Sequence, residues 1–377
     1  MRLVYLNPGN SSVMEAQVLE LLAYYSTLGF FDKIVLLQGY KNREEKEVLL
    51  KKLVNYKLRV IWFKTYPNYT FFHVIARKSL NQTLQKLLDR QDHFFIHIRG
   101  ELYGAFVKHF LEKNNLPLRY LVDIRGVSVE EVREYRHAFK WLKNNKITSY
   151  LKAYENLKRV PHATVTVVSE YAKEYFLQKY NFDTQYIYVH PNICGLRFKY
   201  NENKRNEIRQ KYGIAQKENL VVCSSNGAAR WQKDQQIIEK LMQKGCKVMN
   251  LSPHPVNIHG VINKKVHFAE MPDYLSAADM AVLWRDKSFV NETASPSKFS
   301  EFAMMGLYVI HNGTVGIACD YIKNTNSGCL VDCTQDLDDI NFETINLGNR
   351  LSWIKKAYKH FSVDHIATSY LKIYKDL

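Results

Sequence analysis

The sequence contains no apolar run of about 18 residues, the length that a membrane-spanning helix needs. Its first residues, MRLVYLNPGN, enter a turn too soon for a secretory signal peptide. No C-x-x-C pair occurs among the six cysteines, all of which lie in the second half of the chain. We therefore expect a cytoplasmic protein with free, buried thiols, and neither a zinc site nor a disulfide framework.

Carboxylates are missing from the long stretch between Glu47 and Asp89, where lysines and arginines are interleaved with aromatic residues. Residues 1–193 hold 29 basic and 18 acidic residues, and so carry +11 of the net charge of +16. Basic residues among aromatic ones suit an anionic membrane surface or a nucleic acid. A lysine-rich, solvated surface over ordinary core aromatics is the alternative.

The chain length favours two domains, and the pattern of its first half favours α/β units. A short apolar strand, RLVYL, leads into a turn with Gly9 and Asn10 and then into a helical pattern from Val13. The later strands KIVLLQG, LRVIWF and HFFIHIRG are separated by helical stretches, as in a doubly wound parallel sheet. The motif G-x-G-x-x-G is absent, so the sequence predicts no dinucleotide cofactor.

Polar residues follow two of the predicted strands where those strands end. His97 and Arg99 close HFFIHIRG, and Asp123 and Arg125 close LRYLVDIRG. Ligands of open α/β sheets bind outside the carboxyl ends of the strands, so these four side chains are site candidates. The alternatives are a structural histidine at position 97 and a buried Asp–Arg ion pair that holds the loop.

The stretch SPSKFSEFAMMG, from Ser295 to Gly306, predicts a short helix with both ends defined. Ser295 can cap the helix, Pro296 suits its first position, and Gly306 suits the left-handed residue after its end. The buried runs AADMAVLW and LYVIHN flank it, so the unit is strand, loop, helix, strand with a right-handed crossover.

Lys298 and Glu301 lie three residues apart near the N-terminus of this helix, where free N–H groups and the helix dipole favour an anion. A glutamate can accept hydrogen bonds from both hydroxyls of a ribose, while the lysine and the helix end bind the attached phosphates. The pattern is therefore typical of a nucleotide site. An ordinary exposed ion pair is the alternative.

The run SPSKFSEFAMMGLYVI resembles the donor-site segment of the retaining family-four glycosyltransferases. YLNPGNSSVMEAQV, VDIRG, TVTVVSEYAKEYF and VHPNICGLRF resemble further segments of that family, in the same chain order. The resemblance implies the GT-B fold, an α/β architecture of two Rossmann-like, doubly wound domains that face each other across a cleft. It also implies metal-independent transfer of a sugar from a nucleotide-sugar donor, with retention, to a glycan or lipid-linked acceptor.

The resemblance assigns roles residue by residue. It implies catalytic roles for Asp123, Arg125, Arg230 and Lys233, the last two as cations on the donor diphosphate. It places His97 and Arg99 on the acceptor side. The implied donor-binding residues are Gly9, Asn10, Gly227, Glu292, Thr293, Ser295, Pro296, Ser297, Lys298 and Glu301.

The chain departs from the family at one of its two signature glutamates. Glu301 matches the second, but Thr293 stands eight positions earlier, where the first is usual, and Glu292 lies one residue further away. Recognition of the sugar hydroxyls could fall to Glu292 or to the backbone of residues 293–295.

We expect an acceptor-side domain over residues 1–191, a polar linker over 192–215, a donor domain over 216–350 and a C-terminal helix, 351–377, that returns to the first domain. Cell-surface polysaccharide or glycoconjugate synthesis is the expected context, at the inner face of the cell membrane. Two alternatives remain, a sugar-nucleotide epimerase of the same fold and a non-catalytic basic module that binds RNA or membrane.

Overall fold

The structure is a computed structural model that describes residues 1–11, 13–88, 93–136, 138–158, 164–224, 233–331, 337, 340, 342, 345 and 347–376. The chain divides into two compact units. Unit 1 comprises Met1–Pro191 and Ile366–Leu377, and unit 2 comprises Asn192–His365. Each unit is built on one parallel sheet.

Unit 1 contains a seven-stranded sheet with the order β3-β2-β1-β4-β5-β6-β7. Its strands are β1 (Arg2–Asn7), β2 (Lys33–Tyr40), β3 (Arg59–Lys64), β4 (Phe94–Arg99), β5 (Tyr120–Asp123), β6 (Thr164–Val167) and β7 (Ile187–Val189). Its helices are α1 (Glu20–Leu28), α2 (Arg43–Leu53), α3 (His73–Leu87), α4 (Glu101–Lys113), α5 (Ser128–Tyr135), α6 (Lys140–Leu157) and α7 (Glu170–Tyr180). The order reverses its direction at β1 and β4, as in a doubly wound sheet.

Unit 2 contains a six-stranded sheet with the order β10-β9-β8-β11-β12-β13. Its strands are β8 (Leu220–Cys223), β9 (Lys247–Asn250), β10 (Ile262–Asn263), β11 (Met280–Leu283), β12 (Tyr308–His311) and β13 (Gly328–Leu330). The helices that follow β7 are α8 (Glu202–Lys211), α9 (Ile238–Gln243), α10 (Met271–Ala277), α11 (Phe289–Thr293), α12 (Ser297–Met304), α13 (Gly316–Thr325), α14 (Arg350–Phe361) and α15 (Val363–Asp376). Helix α15 begins in unit 2, and its residues from Ile366 onward belong to unit 1.

Strands β1 to β4 coincide within one or two residues with the four predicted strands of the first half, because each is a short apolar run. All but β3, which lies at the edge of the sheet, are largely buried. Ser169 caps α7 as its position suggests, since its hydroxyl accepts from the Ala172 N–H at 3.1 Å. Residues 131–160 have a continuous helical pattern that predicts one helix. The structure instead contains two helices within this range, the end of α5 and the whole of α6, and Lys143 donates to the Arg133 carbonyl at 2.6 Å near the end of α5.

Unit 2 differs from the sequence prediction at three places. The alternating run KVHFAEM, residues 265–271, is typical of a strand, but the strand β10 lies just before it. Its alternating Val266 and Phe268 instead pack against the core of unit 2. Strand β13 was not predicted, because it is three residues long and begins with a glycine. The residues expected to form a linker contain α8, which packs on α10.

Asp279 fixes α8 to the sheet of unit 2. Its carboxylate accepts from Arg205 at 2.7 Å, from the fully buried Arg209 at 3.0 Å and from the backbone N–H of Leu220 at 2.9 Å. One carboxylate that pairs with a buried and a half-buried arginine explains why so polar a helix sequence folds onto a domain core.

Candidate functional site

The helix α12 lies between β11 and β12, so its N-terminus is at the carboxyl edge of the unit 2 sheet. It is held by Phe299 and Phe302, each 1% exposed, and by Ala303 on the same face. Its end is sharply defined, because Gly306 adopts a φ of 63° and leaves the helix in the left-handed conformation. A Cβ at this glycine would lie 2.7 Å from the Arg350 backbone oxygen. Gly306 is therefore required twice, for its φ and for the approach of α14.

Lys298 and Glu301 form an ion pair on the first turns of α12. The Lys298 Nζ lies 2.9 Å from Glu301 Oε2. The Glu301 side chain is 6% exposed, whereas that of Lys298 is 28% exposed. The pair is therefore not an ordinary surface contact, since a buried carboxylate loses hydration that only good partners replace.

The start of α12 differs from its prediction by one position. Pro296 is the N-terminal capping residue, and the helix begins at Ser297. Ser295 does not cap the helix. Its hydroxyl accepts from the Asn192 N–H at 3.0 Å, and the Asn192 side chain also donates to the Ser295 carbonyl. Ser295 thus fixes the loop before α12 to the first residue of unit 2.

The position of the missing signature glutamate is occupied by a buried threonine. Thr293 is 1% exposed, and its hydroxyl donates to the carbonyls of Phe289 at 3.0 Å and Val290 at 3.3 Å, inside α11. Glu292, the neighbouring residue, is exposed. A carboxylate is therefore presented to solvent by Glu292, next to the position where the signature glutamate is missing.

Residues after β11 form a polar group that sequence reasoning missed. Arg285 lies two residues past the end of that strand, and its NH1 donates to the buried Asn291 Oδ1 at 3.2 Å. The Asn312 side chain bonds both the backbone N–H and the carbonyl of Arg285. Lys233 Nζ lies 3.8 Å from Asp286 Oδ1. The signal in the sequence that could have found this group is W-R-D, where Arg285 directly follows the predicted buried strand AADMAVLW.

Two predicted donor residues, Gly227 and Arg230, lie outside the described residues. Among the residues that the structure does describe, no group of three histidine, cysteine or acidic side chains is arranged to hold a metal ion. The sequence also contains one D-x-D run, Asp336-Leu337-Asp338, whose two aspartates are not described.

Asp123 is the centre of a buried polar network at the carboxyl edge of the unit 1 sheet. One carboxylate oxygen accepts from Arg125 NH1 at 2.9 Å and from Thr166 Oγ1 at 3.0 Å. The other lies 3.8 Å from Arg99 NH1. Burial alone would raise the pKa of Asp123, but Arg125, His97 and Arg99 together hold it far below its usual value. The Asp–Arg ion pair that was the alternative reading is therefore present.

Arg99 and Arg125 are the parts of this network that reach solvent, with side chains 13% and 15% exposed. Arg125 is oriented by two further acceptors, the His190 carbonyl at 3.3 Å and Gln17 Oε1 at 3.4 Å. Two arginines share one buried carboxylate, so the strand ends carry a net positive charge. This arrangement can attract an anionic ligand.

His97 does not lie where an acceptor could contact it. Its side chain is fully buried, its Nδ1 is 2.5 Å from the Tyr374 hydroxyl, and its ring stacks on Tyr5 at 4.4 Å. Burial lowers the pKa of His97, so the neutral ring is favoured. The acceptor-side prediction for His97 is corrected to a structural role, because its ring nitrogens cannot reach a ligand.

The loop after β1 contains Gly9 and Asn10, two of the predicted donor-binding residues. The Asn7 side chain donates to the Gly9 carbonyl at 2.8 Å, and Lys52 donates to Asn10 Oδ1 at 2.7 Å. Apart from Gly9 itself and its two chain neighbours, none of the described residues has an atom within 4 Å of the position that a Cβ on Gly9 would take. The backbone at Gly9 therefore faces open space, and a lysine lies next to it.

Sequence reasoning also missed a group of titratable side chains at the carboxyl edge of the unit 1 sheet. Glu101, 4% exposed, begins α4 directly after β4, and Glu131 projects from α5 over Gly126. Glu131 as a whole is exposed, but its carboxyl group has lost hydration. This desolvation, with the charge of Glu101, raises the pKa of Glu131 to about 7. Burial lowers the pKa of Lys146 to about 8. Groups that titrate near neutrality beside strand ends are candidates for acceptor contacts.

No protein-family model and no curated protein matches the sequence. Solved structures do match it. A glycosyltransferase from Rickettsia africae matches with a TM-score of 0.72 over 100% of this chain and 98% of that chain, at 17% identity. Anabaena HepE in complex with UDP-glucose matches with a TM-score of 0.71 over 100% of both chains, at 13% identity. WaaG, a glycosyltransferase involved in lipopolysaccharide biosynthesis, matches with a TM-score of 0.64 over 98% and 99%, at 11% identity.

The chain therefore has the two-domain α/β fold of the GT-B glycosyltransferases, which confirms the fold that the sequence resemblance implied. At identities of 17% and below the likeness defines the fold. The chemistry depends on the side chains at the two strand edges.

Proposed function

We propose that this protein transfers a sugar from a nucleotide-sugar donor to a glycan or lipid-linked acceptor. The observation that carries the proposal is the buried Glu301, paired with Lys298 at 2.9 Å on the first turns of α12. A buried carboxylate beside a helix N-terminus suits a ribose whose phosphates lie at the helix end.

The donor would be held by unit 2. Glu301 would accept from the ribose hydroxyls, and the first N–H groups of α12 with Lys298 would bind the diphosphate. Lys233 and Arg285 would add positive charge beside the diphosphate. Lys233 follows β8 and Arg285 follows β11, and these two strands are neighbours in the sheet. Arg230 is proposed for the same task. The Anabaena HepE structure holds UDP-glucose, so uridine nucleotides are the first donors to test.

The reaction that these groups suit is departure of a diphosphate from the anomeric carbon. Fixed cations and a helix N-terminus stabilise the negative charge that develops on the leaving oxygen, and they need no reorganisation at that moment. We propose retention at the anomeric carbon and transfer without a metal cofactor. Addition of a chelator should then leave the rate unchanged.

The acceptor would be bound by unit 1, where Arg99 and Arg125 reach solvent beside Asp123. Synthesis of a cell-surface polysaccharide or glycoconjugate at the inner face of the cell membrane is the proposed setting. The basic first half of the chain supports it, because positive charge favours anionic lipid.

The proposal is tested with a panel of nucleotide sugars. The true donor should raise the unfolding temperature and be hydrolysed slowly without acceptor, and NMR of the product should show the anomeric configuration retained. An inverted product would refute retention. Conversion of the donor into a second nucleotide sugar would identify an epimerase instead, and the absence of any nucleotide affinity would reject the proposal.

A further inference from the structure

Five large apolar side chains of unit 1 lie exposed on two neighbouring segments, and we call them the apolar edge. Their exposed fractions are 51% for Phe71, 67% for Val74, 47% for Ile75, 76% for Phe139 and 63% for Trp141. Phe71 lies in the turn before α3, and Val74 and Ile75 lie in the first turn of α3. Phe139 directly precedes α6, and Trp141 lies in its first turn. Clustered exposure of this size marks a contact surface, whereas single exposed residues are ordinary.

Hydrogen bonds hold the two segments together. The Thr70 N–H donates to Asn145 Oδ1 at 2.8 Å, and Asn145 donates back to Thr70 Oγ1 at 2.7 Å. His73 and Ser149 are joined by a contact of 2.6 Å between Nε2 and Oγ. Trp141 lies one helical turn before Asn145 on the same face of α6. The start of α6 therefore lies beside the segment that carries Phe71.

Phe71 of the apolar edge is held in place by neighbouring rings. Phe71 stacks on Tyr69 with ring centroids 5.3 Å apart and planes 2° apart, and it also contacts Phe72 at 4.7 Å. Rings held by neighbouring rings present a fixed apolar face. They would lose little conformational freedom on binding, which favours association.

The two sequence stretches that carry the apolar edge are rich in basic residues. No acidic residue occurs between Glu47 and Asp89 or between Glu134 and Glu155. The cations on these stretches include Lys64, Arg77, Lys78, Lys140, Lys143 and Lys152. Lysines with long apolar stems beside tryptophan and phenylalanine are typical of proteins that lie in the interface of a bilayer.

The apolar edge lies on helices that start at the carboxyl edge of the unit 1 sheet. Helix α3 follows the carboxyl end of β3 through the turn Thr70–Phe72, and the hydrogen bonds of Asn145 hold the first turns of α6 beside that turn. Both helices therefore start at the carboxyl edge of the unit 1 sheet, where Arg99 and Arg125 reach solvent. A surface bound at this edge would bring its molecules to the acceptor-side residues.

We propose that the apolar edge inserts into the interface of an anionic lipid bilayer and that its cations contact the lipid headgroups. The described helices include none that is long and apolar enough to cross a membrane. The inference deepens the proposed peripheral association and rests on it for the source of the acceptor. A second copy of the chain and an RNA are the rival occupants.

The test is flotation of the full chain with vesicles of phosphatidylcholine alone or mixed with phosphatidylglycerol. The wild type should float with the anionic vesicles only, and less as salt rises. The double variant Phe139→Ser, Trp141→Ser should bind about tenfold more weakly, because two interfacial side chains are lost. Leu351→Ser, which removes a 70% exposed leucine from unit 2, is the matched control and should bind as the wild type does.

Several outcomes overturn the inference. Equal flotation of the double variant and the wild type rejects this surface, and absence of wild-type flotation rejects membrane association altogether. A dimer that the double variant dissociates assigns the surface to a second copy, and salt-sensitive RNA binding lost in the variant assigns it to nucleic acid. Thermal stabilisation by UDP-glucose is measured in parallel, so failure of the donor site is seen separately.

Discussion

Lys298 and Glu301 lie one helical turn apart, with 2.9 Å between Nζ and Oε2, yet the glutamate is 6% exposed and the lysine 28% exposed. The carboxylate thus lies inside a site whose rim is cationic. Loss of the lysine would leave a buried charge without its partner, whereas loss of the glutamate would leave a lysine that water can solvate.

Replacement of the lysine should test the diphosphate contact. Lys298→Ala should lower kcat/KM by tens of times, because a hydrogen bond between charged groups contributes about 2 kcal/mol. Lys298→Arg keeps the charge and should recover part of the loss. Steady-state kinetics with the donor found in the panel provide the measurement. Near-normal turnover of Lys298→Ala would contradict the assigned role.

Two glycines provide a matched pair for the end of α12. Gly306→Ala combines a left-handed backbone with a Cβ 2.7 Å from the Arg350 oxygen, and Gly313→Ala has a left-handed backbone in open space. The second change should cost about 1 kcal/mol of unfolding free energy, and the first clearly more. Urea unfolding of both variants measures the difference. Equal losses would show that α14 can move away from Gly306.

Asp123 should dominate the acid limb of unit 1 stability. Its pKa is held below the usual value by Arg125, His97 and Arg99 against the opposing effect of burial, so its contribution is present above about pH 4 and is lost as pH falls below that value. Asp123→Asn should destabilise the fold by about 3 to 5 kcal/mol, because two arginines lose their carboxylate. It should also flatten the acid limb. Chemical unfolding at a series of pH values tests this, and an unchanged acid limb would refute it.

His311 should destabilise the fold as pH falls through the mildly acidic range. Burial lowers the pKa of His311 to about 4, and the neutral ring is 2.6 Å from the Leu283 carbonyl and accepts from the Val315 N–H at 3.1 Å. The unfolded histidine binds a proton near pH 6.5, so stability should decline between about pH 6.5 and 4, by up to about 3 kcal/mol. NMR titration of the ring provides the measurement. A midpoint near 6.5 in the folded protein would contradict the burial.

Patterns that depend on one local cause could be read from the sequence. Buried runs such as RLVYL gave strands, and Gly306 marked the end of α12, because local burial and backbone freedom decide these features. The failures depended on contacts distant in sequence. Ser295 forms hydrogen bonds with Asn192 and does not cap its own helix. A Cβ at position 328 would lie 2.2 Å from the Val309 oxygen, so β13 can pair with β12 there because the residue is Gly328.

The site itself was predictable in outline for the same reason. Lys298 and Glu301 are three residues apart, so helical geometry alone places them together. The burial of Glu301, the enclosure of His97 and the placement of Arg285 depend on tertiary packing, which one sequence does not display. The same limit hid the approach of Arg99 to Asp123, whereas the ion pair of Asp123 with Arg125 was an alternative that the sequence offered.

The most direct measurement compares UDP with 2′-deoxy-UDP by calorimetric titration of the wild type, Glu301→Gln and the control Glu239→Gln. If Glu301 binds the ribose diol, the wild type and the exposed control should prefer UDP by about tenfold, and Glu301→Gln should lose both affinity and that preference. An unchanged preference in Glu301→Gln would contradict the central claim.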